Sequence, residues 1–249
     1  MRASPKRALR TSLIAITFAA LGPAVAVAGT IVIPFNPANF SSPLTINNVL
    51  FPLVANTTFV YKEDTPDGCE VDRMSVTNQT QAIAGVTTRV VHDIVYVGPT
   101  CSGRVQKTED TLDYYAQDNS RNVWYMGEDT SDCVANRCTR AEGSWRAGVD
   151  GAQPGLIMLA NPHKGDAYQQ EYYAGHAEDA AVVTAVGVPV IMQRPDAYRR
   201  SFSNCIETKE TTKLEPGAIE YKDYCPNIGN VVTTEKGKLR SELTAITHP

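Results

Sequence analysis

The chain has 249 residues, 43% of them hydrophobic, with 23 basic and 27 acidic residues and a formal net charge of −4. An acidic protein is a poor partner for nucleic acids and anionic membrane surfaces, because both carry negative charge. The length suits one domain, or two small ones, and suffices to bury a core without a stabilising metal.

The first 28 residues have the composition of a secretory signal peptide. Four basic residues precede an apolar run at 13–21, and residues 26–28 (AVA) match an A-x-A cleavage site. The apolar run is shorter than the ~20 residues that a transmembrane helix needs, and no later segment is apolar enough to span. Cleavage leaves a chain that begins at Gly29, with 19 basic against 27 acidic residues and a net charge of −8. The sequence therefore predicts export, to the periplasm or the extracellular space.

Two regions of different composition follow. Residues 29–56 are rich in Pro, Asn and Ser, which disfavours a regular helix or a central strand, and we interpret them as an extended lead-in on the surface. From residue 57 onward, short runs rich in Val, Thr and Tyr alternate with Gly, Pro, Asn and Asp, as in strands joined by turns. We therefore predict that residues 57–249 form a single, mostly β domain: an antiparallel curved sheet or half-open barrel.

An acidic pattern recurs within the predicted strands. The letters E-D-T-x-D occur at residues 63–67, 109–113 and 128–132. The spacing is uneven, so the pattern does not indicate a solenoid repeat. Two interpretations remain open: solvated strand ends or turns, and carboxylates that gather to bind calcium.

Residues 114–130, "YYAQDNSRNVWYMGEDT", predict a β-hairpin with two unlike faces. If residues 119–122 form the turn, Ala116 faces Tyr125 and Asp113 faces Glu128. Because side chains alternate along a strand, one face of this hairpin is apolar and the other mixes aromatic, amide and acidic groups. The mixed face is either a functional surface, for which three hypotheses follow, or a structural face that another strand or loop covers.

The first hypothesis for the mixed face is a groove that binds an apolar or sugar-like ligand. Amphipathic aromatic side chains suit such a groove, and its contact residues would be Tyr115, Gln117, Trp124 and Trp145. Residues 143–165, rich in Gly and Pro around an apolar centre, would form a long covering loop that acts as a lid or plug. The protein would then be an exported binding protein without enzymatic activity.

The second hypothesis is a secreted hydrolase acting on a glycan. Asp113 and Glu128 would supply the carboxylate pair that glycosidases use. Like charges directly opposed across two strands are unfavourable unless a proton or a cation lies between them.

The third hypothesis is a calcium-stabilised structural or cell-surface protein. Asp118, Ser120 and Asn122 match the first three oxygen ligands of an EF-type calcium loop, and Asp129 falls at the twelfth position. Val123 stands at the sixth position, where that motif needs Gly for its turn. The sequence predicts no other cofactor.

The exported chain contains six cysteines, an even number in an oxidising compartment, which indicates disulfides. Proximity along the chain favours three pairs: Cys69–Cys101, Cys133–Cys138 and Cys205–Cys225. A zinc site is disfavoured, because the sequence has no C-x-x-C and no nearby His pair.

Four segments resemble parts of a large group of secreted bacterial proteins: "LTINNVLFPLVANTTFVY", "DYYAQDNSRNVWYMGED", "EGSWRAGVDGAQPGLIM" and "LEPGAIEYKDYCPNIGNV". The resemblance implies bacterial origin and export, and it implies no activity. The last segment also resembles the closing strands of lipid-handling half-barrels such as the periplasmic lipoprotein carriers. By analogy of fold alone, that likeness implies a curved antiparallel sheet with an apolar concave face.

Overall fold

The computed structural model describes residues 30–248, except residues 67, 103, 104, 136 and 236–238. The predicted signal peptide lies outside the described residues. Within the described part of the chain, the only helix is a 3-10 turn at Pro37–Asn39, and no helix is long and apolar enough to cross a membrane.

Sixteen strands account for most of the described residues. They are β1 (Ile46–Asn48), β2 (Phe51–Leu53), β3 (Thr58–Thr65), β4 (Gly68–Ile83), β5 (Val86–Gly98), β6 (Gln106–Gln117), β7 (Val123–Val134), β8 (Arg137–Arg140), β9 (Trp145–Arg146), β10 (Gly155–Met158), β11 (Ala167–Gln169), β12 (Asp179–Ile191), β13 (Ser201–Thr212), β14 (Glu220–Cys225), β15 (Gly229–Glu235) and β16 (Leu239–Thr247). Their richness in β-branched and aromatic residues explains the preference for extended backbone.

Fourteen strands form one antiparallel sheet, in the order β10-β7-β6-β5-β4-β3-β16-β15-β14-β13-β12-β11, with β8 and β9 also paired to β7. The long strands follow one another as hairpins, as at Ala84-Gly85, where two consecutive positive φ angles (47° and 82°) make the tight turn from β4 to β5. The predicted mostly β fold and antiparallel sheet are confirmed.

The sheet is strongly curved, so that its first and last strands approach each other. The Gln153 backbone N–H donates to the Tyr172 carbonyl oxygen (2.9 Å), and the Gly155 backbone lies against Gln170 so closely that no Cβ would fit. This contact is an isolated bridge and not a continuous ladder, so the sheet is not closed into a barrel. The curvature leaves an internal space on the concave face.

The lead-in does more than lie on the surface, which corrects the interpretation of residues 29–56. Ile46, Leu50, Phe51 and Leu53 are buried, and β1 and β2 form a separate two-stranded sheet that packs over the large one. Its Pro and Asn content still fits the structure, because the strands of this small sheet are only three residues long.

The segment 143–165 is also ordered differently from the long covering loop that its composition predicted. The segment contains β9 and β10, which extend the large sheet beside β7. Within it, only Ile157 lines the smaller of the two cavities described below. The apolar centre of the segment is therefore part of the sheet edge and core.

Three disulfides join neighbouring strands or their ends: Cys69–Cys101, Cys133–Cys138 and Cys205–Cys225. These are the predicted pairs. Cys205 and Cys225 are buried between β13 and β14, whereas Cys138 is exposed at the tip of the β7–β8 hairpin.

Candidate functional site

The concave face holds a partly open cavity of about 360 Å³, within the range of small-molecule sites. One wall is apolar and largely aromatic, and it consists of Phe51, Leu53, Phe59, Tyr61, Met74, Tyr115, Ile157 and Tyr224. The concave face is therefore partly apolar, as the resemblance to lipid-handling half-barrels implied. Most of the other residues that line the cavity are polar or charged.

A second cavity, of about 800 Å³, adjoins the first, because Asp72, Asp93, Asp179 and Thr212 line both. Its lining includes ten acidic residues: Glu70, Asp72, Asp93, Glu109, Glu128, Asp132, Glu142, Glu171, Asp179 and Glu215. Among the described residues that line it, none is Lys or Arg, and His176 is the single His. The joined space is amphipathic, with an aromatic end and an acidic end.

Strand alternation and register explain why the acids converge. Glu109 pairs with Asp132 across β6 and β7, and Asp113 pairs with Glu128 on the same face of the same two strands. These four residues are the first and last letters of two of the three E-D-T-x-D patterns. In β6 and β7, the pattern therefore marks acidic side chains that face the concave side of the sheet. The interpretation as solvated strand ends is therefore wrong for this pair of strands.

Some carboxylate oxygens on this face are buried without a hydrogen-bond partner among the described residues. They include Oδ1 of Asp93, Oδ1 of Asp132 and Oε2 of Glu215. A buried, unsatisfied oxygen is unfavourable, because burial removes the water that would otherwise solvate it. Such atoms are suited to accept hydrogen bonds from a bound molecule.

The predicted carboxylate pair is present and a tyrosine bridges it. The Tyr125 hydroxyl contacts Asp113 Oδ1 at 2.5 Å and Glu128 Oε2 at 3.2 Å. Burial, with the nearby charges of Asp93 and Glu128, raises the pKa of Asp113 well above its usual value, although the Tyr125 hydrogen bond opposes this. Asp113 therefore keeps its proton to a higher pH than an exposed aspartate does.

In the cavity of about 360 Å³, on the same strand as Tyr224, Lys222 is held between two carboxylates. Its Nζ lies 2.7 Å from Glu210 Oε2 and 3.4 Å from Glu220 Oε2. Burial alone would lower the pKa of Lys222, but Glu210 and Glu220 outweigh it and raise the pKa well above the ordinary value. The Tyr224 hydroxyl also donates to Glu210 (3.2 Å), so Glu210 is well satisfied within the protein.

Of the four residues predicted to line a groove, only Tyr115 reaches the cavity. It stacks on Tyr125 with ring centroids 4.9 Å apart and meets the edge of Phe51 at 5.5 Å. Tyr115 and Tyr125 share a face because the register shifts by one residue beside Gly127, where φ is +144°. The predicted pairing of Ala116 with Tyr125 is therefore wrong, whereas that of Asp113 with Glu128 is correct.

The other three predicted contact residues are engaged in internal contacts, which corrects their assignment to a groove. Gln117 accepts backbone N–H bonds from Asn47 (2.9 Å) and Asn48 (2.8 Å) and so fixes β1. Trp124 is covered by the edges of Phe35 and Phe40 in the lead-in. Trp145, 2% exposed, packs edge-on against the Tyr125 ring.

The residues of the predicted calcium loop are not gathered around one point. The Asp118 carboxylate accepts hydrogen bonds from the Asn122 amide and from Trp124 Nε1, each at 2.9 Å, and so closes the hairpin turn. Asp129 instead accepts from the Tyr114 hydroxyl (2.8 Å), and Ser120 is exposed in the turn. These contacts give Asp118 and Asp129 structural roles.

No protein-family model matches the chain, and no curated protein matches it. One solved structure that matches is described as a "putative lipoprotein" from Parabacteroides distasonis. The two chains are 10% identical, and the match covers 80% of this chain and 99% of that one with a TM-score of 0.32. A superposition this loose carries no functional argument, so function rests on the cavity.

Sequence reasoning missed Asp93, Asp179, Glu210 and Lys222, which all lie on the concave face. Asp93 stands within a run of apolar residues, "VVHDIVYV", where a charged side chain at an inward position is itself a signal. Glu210 and Lys222 carry no such signal, because β13 and β14 are polar on both faces around them, and Asp179 begins β12 and so does not interrupt an apolar run.

Proposed function

We propose that the protein is an exported binding protein that holds a small organic ligand in the cavity on the concave face of its sheet. The observation that carries the proposal is the partly open cavity of about 360 Å³, which is lined by aromatic side chains and adjoining carboxylates. Apolar pockets with a few converging polar groups are the usual form of ligand sites. The three disulfides support export, because such bonds persist in oxidising compartments.

The test is binding of N-phenyl-1-naphthylamine, an apolar fluorescent probe that is uncharged at neutral pH. Met74 lines the cavity, so a Met74→Trp substitution fills it with a larger ring. Ile191, 71% exposed on β12, provides the matched control Ile191→Trp. We expect the wild type and the control to bind the probe equally, and Met74→Trp to bind it about tenfold or more weakly.

Circular dichroism shows whether Met74→Trp keeps the β fold. Equal probe affinity in all three folded proteins would contradict the proposal, because it would place the probe elsewhere. Absence of probe binding to the wild type would contradict it as well.

A second candidate function is hydrolysis by the Asp113–Glu128 pair. The observation that favours it is the Tyr125 bridge, together with the raised pKa of Asp113, because paired carboxyl groups with different proton affinities can act as acid and base. The test is turnover of glycan and ester substrates by the purified protein. Glu128→Gln should abolish any turnover observed, and undiminished turnover in that variant excludes the pair.

A further inference from the structure

A row of five inward-facing side chains crosses the aromatic and acidic ends of the joined cavities. Register pairs Phe59 with Met74, Met74 with Asp93, Asp93 with Thr111, and Thr111 with Thr130. Neighbouring strands lie about 4.8 Å apart, so the row extends over roughly 20 Å. Along it, the surface changes from apolar to acidic and then to hydroxyl.

Asp93 lies at the boundary between the two ends. It lines both cavities, and its Oδ1 is buried with no hydrogen-bond partner among the described residues. Its charge also raises the pKa of the neighbouring Asp113. A buried oxygen without a hydrogen-bond partner has lost the solvation that water would give it, and the N–H groups of a bound organic cation would supply hydrogen bonds in its place.

Thr130 gives a second, independent observation. It is 1% exposed, it lines the acidic cavity, and its Oγ1 has no hydrogen-bond partner among the described residues. Its backbone is fully used, since the N–H donates to Ser144 Oγ (2.9 Å) and the carbonyl accepts from the same hydroxyl (3.0 Å). The Thr130 hydroxyl is therefore a second buried polar group that lines the acidic cavity without a hydrogen-bond partner among the described residues, two strands beyond Asp93.

The arrangement does not suit a single metal ion. Among the described residues, the only group of three potential ligands with atoms within 4.8 Å of one another is Asp64, Cys69 and Cys101, and both sulfurs are in a disulfide. The cavity carboxylates are spread over several strands instead. Aromatic rings beside separated carboxylates favour an organic cation, whose charge pairs with the acid while its apolar part contacts the rings.

We propose that the ligand is a primary amine with an apolar group, an alkylamine or arylalkylamine. Its ammonium lies at Asp93, and its apolar part packs against Met74 and Phe59, which follow Asp93 on the next two strands of the row. This inference rests on the binding function proposed above and specifies the chemistry of the ligand.

The experiment compares 2-phenylethylamine with 2-phenylethanol, its uncharged counterpart, by calorimetric titration. Wild type should bind the amine about tenfold or more tightly than the alcohol. Asp93→Asn keeps the shape of the side chain and should lose that preference. Asp150→Asn, at an exposed loop position, is the matched control and should behave as the wild type.

Probe binding separates failure of this inference from failure of the proposed function. If N-phenyl-1-naphthylamine binds but amine and alcohol bind equally, or the preference survives in Asp93→Asn, the amine assignment is wrong and the cavity function stands. If the probe does not bind either, both are wrong. Tighter binding of spermidine than of 2-phenylethylamine would overturn the apolar half of the assignment, and competition by calcium chloride at lower concentration would overturn it in favour of a metal.

The stability of the ligand-free protein distinguishes a binding role of Asp93 from a structural one. Because Asp93 lies among other acids, Asp93→Asn should leave the melting temperature unchanged or raise it. A lower melting temperature, with amine preference retained, would show that Asp93 serves the fold.

Discussion

At the residue scale, the interior of this protein shows how burial and neighbouring charges act together. Asp113 is 7% exposed and lies beside Asp93 and Glu128, so ionisation there is opposed both by lost hydration and by repulsion. The Tyr125 hydroxyl partly compensates by donating to the carboxylate. The pKa of Asp179 is also raised, and burial is the largest cause.

The raised pKa of Asp113 predicts a pH-dependent stability. Below about pH 3.8, the ordinary pKa of an aspartate, Asp113 is protonated in both the folded and the unfolded chain, and the stability that it contributes in its protonated form is fully present. As pH rises, Asp113 of the unfolded chain releases its proton first. The free energy of unfolding therefore falls with pH until pH passes the pKa of Asp113 in the folded protein. From pH 4 to pH 7, Asp113→Asn should therefore gain stability relative to wild type by on the order of 1 kcal/mol or more.

Urea denaturation at several pH values measures this difference. The Asn side chain can still accept the Tyr125 hydrogen bond, so the comparison isolates the charge. A stability difference that stays constant with pH, or that moves in favour of the wild type as pH rises, would contradict the assigned pKa direction.

At the element scale, the strands and the disulfides followed from the sequence, whereas the pairing details did not. Runs of Val, Thr and Tyr identify strands locally, and cysteines close in the chain meet because hairpins join neighbouring strands. The one-residue shift beside Gly127, a glycine within a strand, places Tyr125 on the same face as Tyr115. Because such a shift reverses the side chains beyond it, Trp124 was assigned to the wrong face. Gln117 and Trp145 were misassigned for another reason, since the segments that pack on them are distant in the chain.

The disulfides differ in the length of chain that they close, which predicts different contributions to stability. Cys205 and Cys225 are 20 residues apart, and Cys133 and Cys138 are 5 apart. Limiting the unfolded chain by a longer loop stabilises more, so the double Ala variant of the first pair should lose about 3 kcal/mol and that of the second about 2 kcal/mol. Burial of Cys205 and Cys225 adds a packing loss to the first value.

Chemical denaturation of the two double variants, each compared with the wild type under identical conditions, tests this order. The Cys133–Cys138 variant is the internal control, because it removes the same kind of bond from a hairpin end where one cysteine, Cys138, is exposed. Equal losses, or a larger loss for the shorter loop, would contradict the explanation by loop length.

At the scale of the whole molecule, the candidate site depends on curvature, which a single sequence does not encode locally. The strand that supplies Asp179 is far along the chain from those that supply Phe59 and Asp93, and the three residues face one space because the sheet bends until its terminal strands approach each other. The lead-in then covers this space with Phe51 and Leu53. The acidic pattern at 109–113 and 128–132 was visible in the sequence, but its convergence with β3, β5 and β12 was not.

The methionines permit a direct test of the central claim, that the concave cavity is the binding site. Four methionines follow the predicted signal peptide. Met74 lines the cavity, whereas Met126, Met158 and Met192 are buried in the core and line neither cavity. Protein labelled with ¹³C at the methionine methyl groups should therefore give one signal that reports on the cavity and three that do not, with Met74→Leu assigning the first.

The measurement is a titration of this labelled protein with N-phenyl-1-naphthylamine, followed by methyl NMR. The account predicts that the Met74 signal shifts progressively and saturably, because the aromatic probe lies against it, while the Met126, Met158 and Met192 signals stay in place. A Met74 signal that does not move while the probe binds, or four signals that move together, would contradict it.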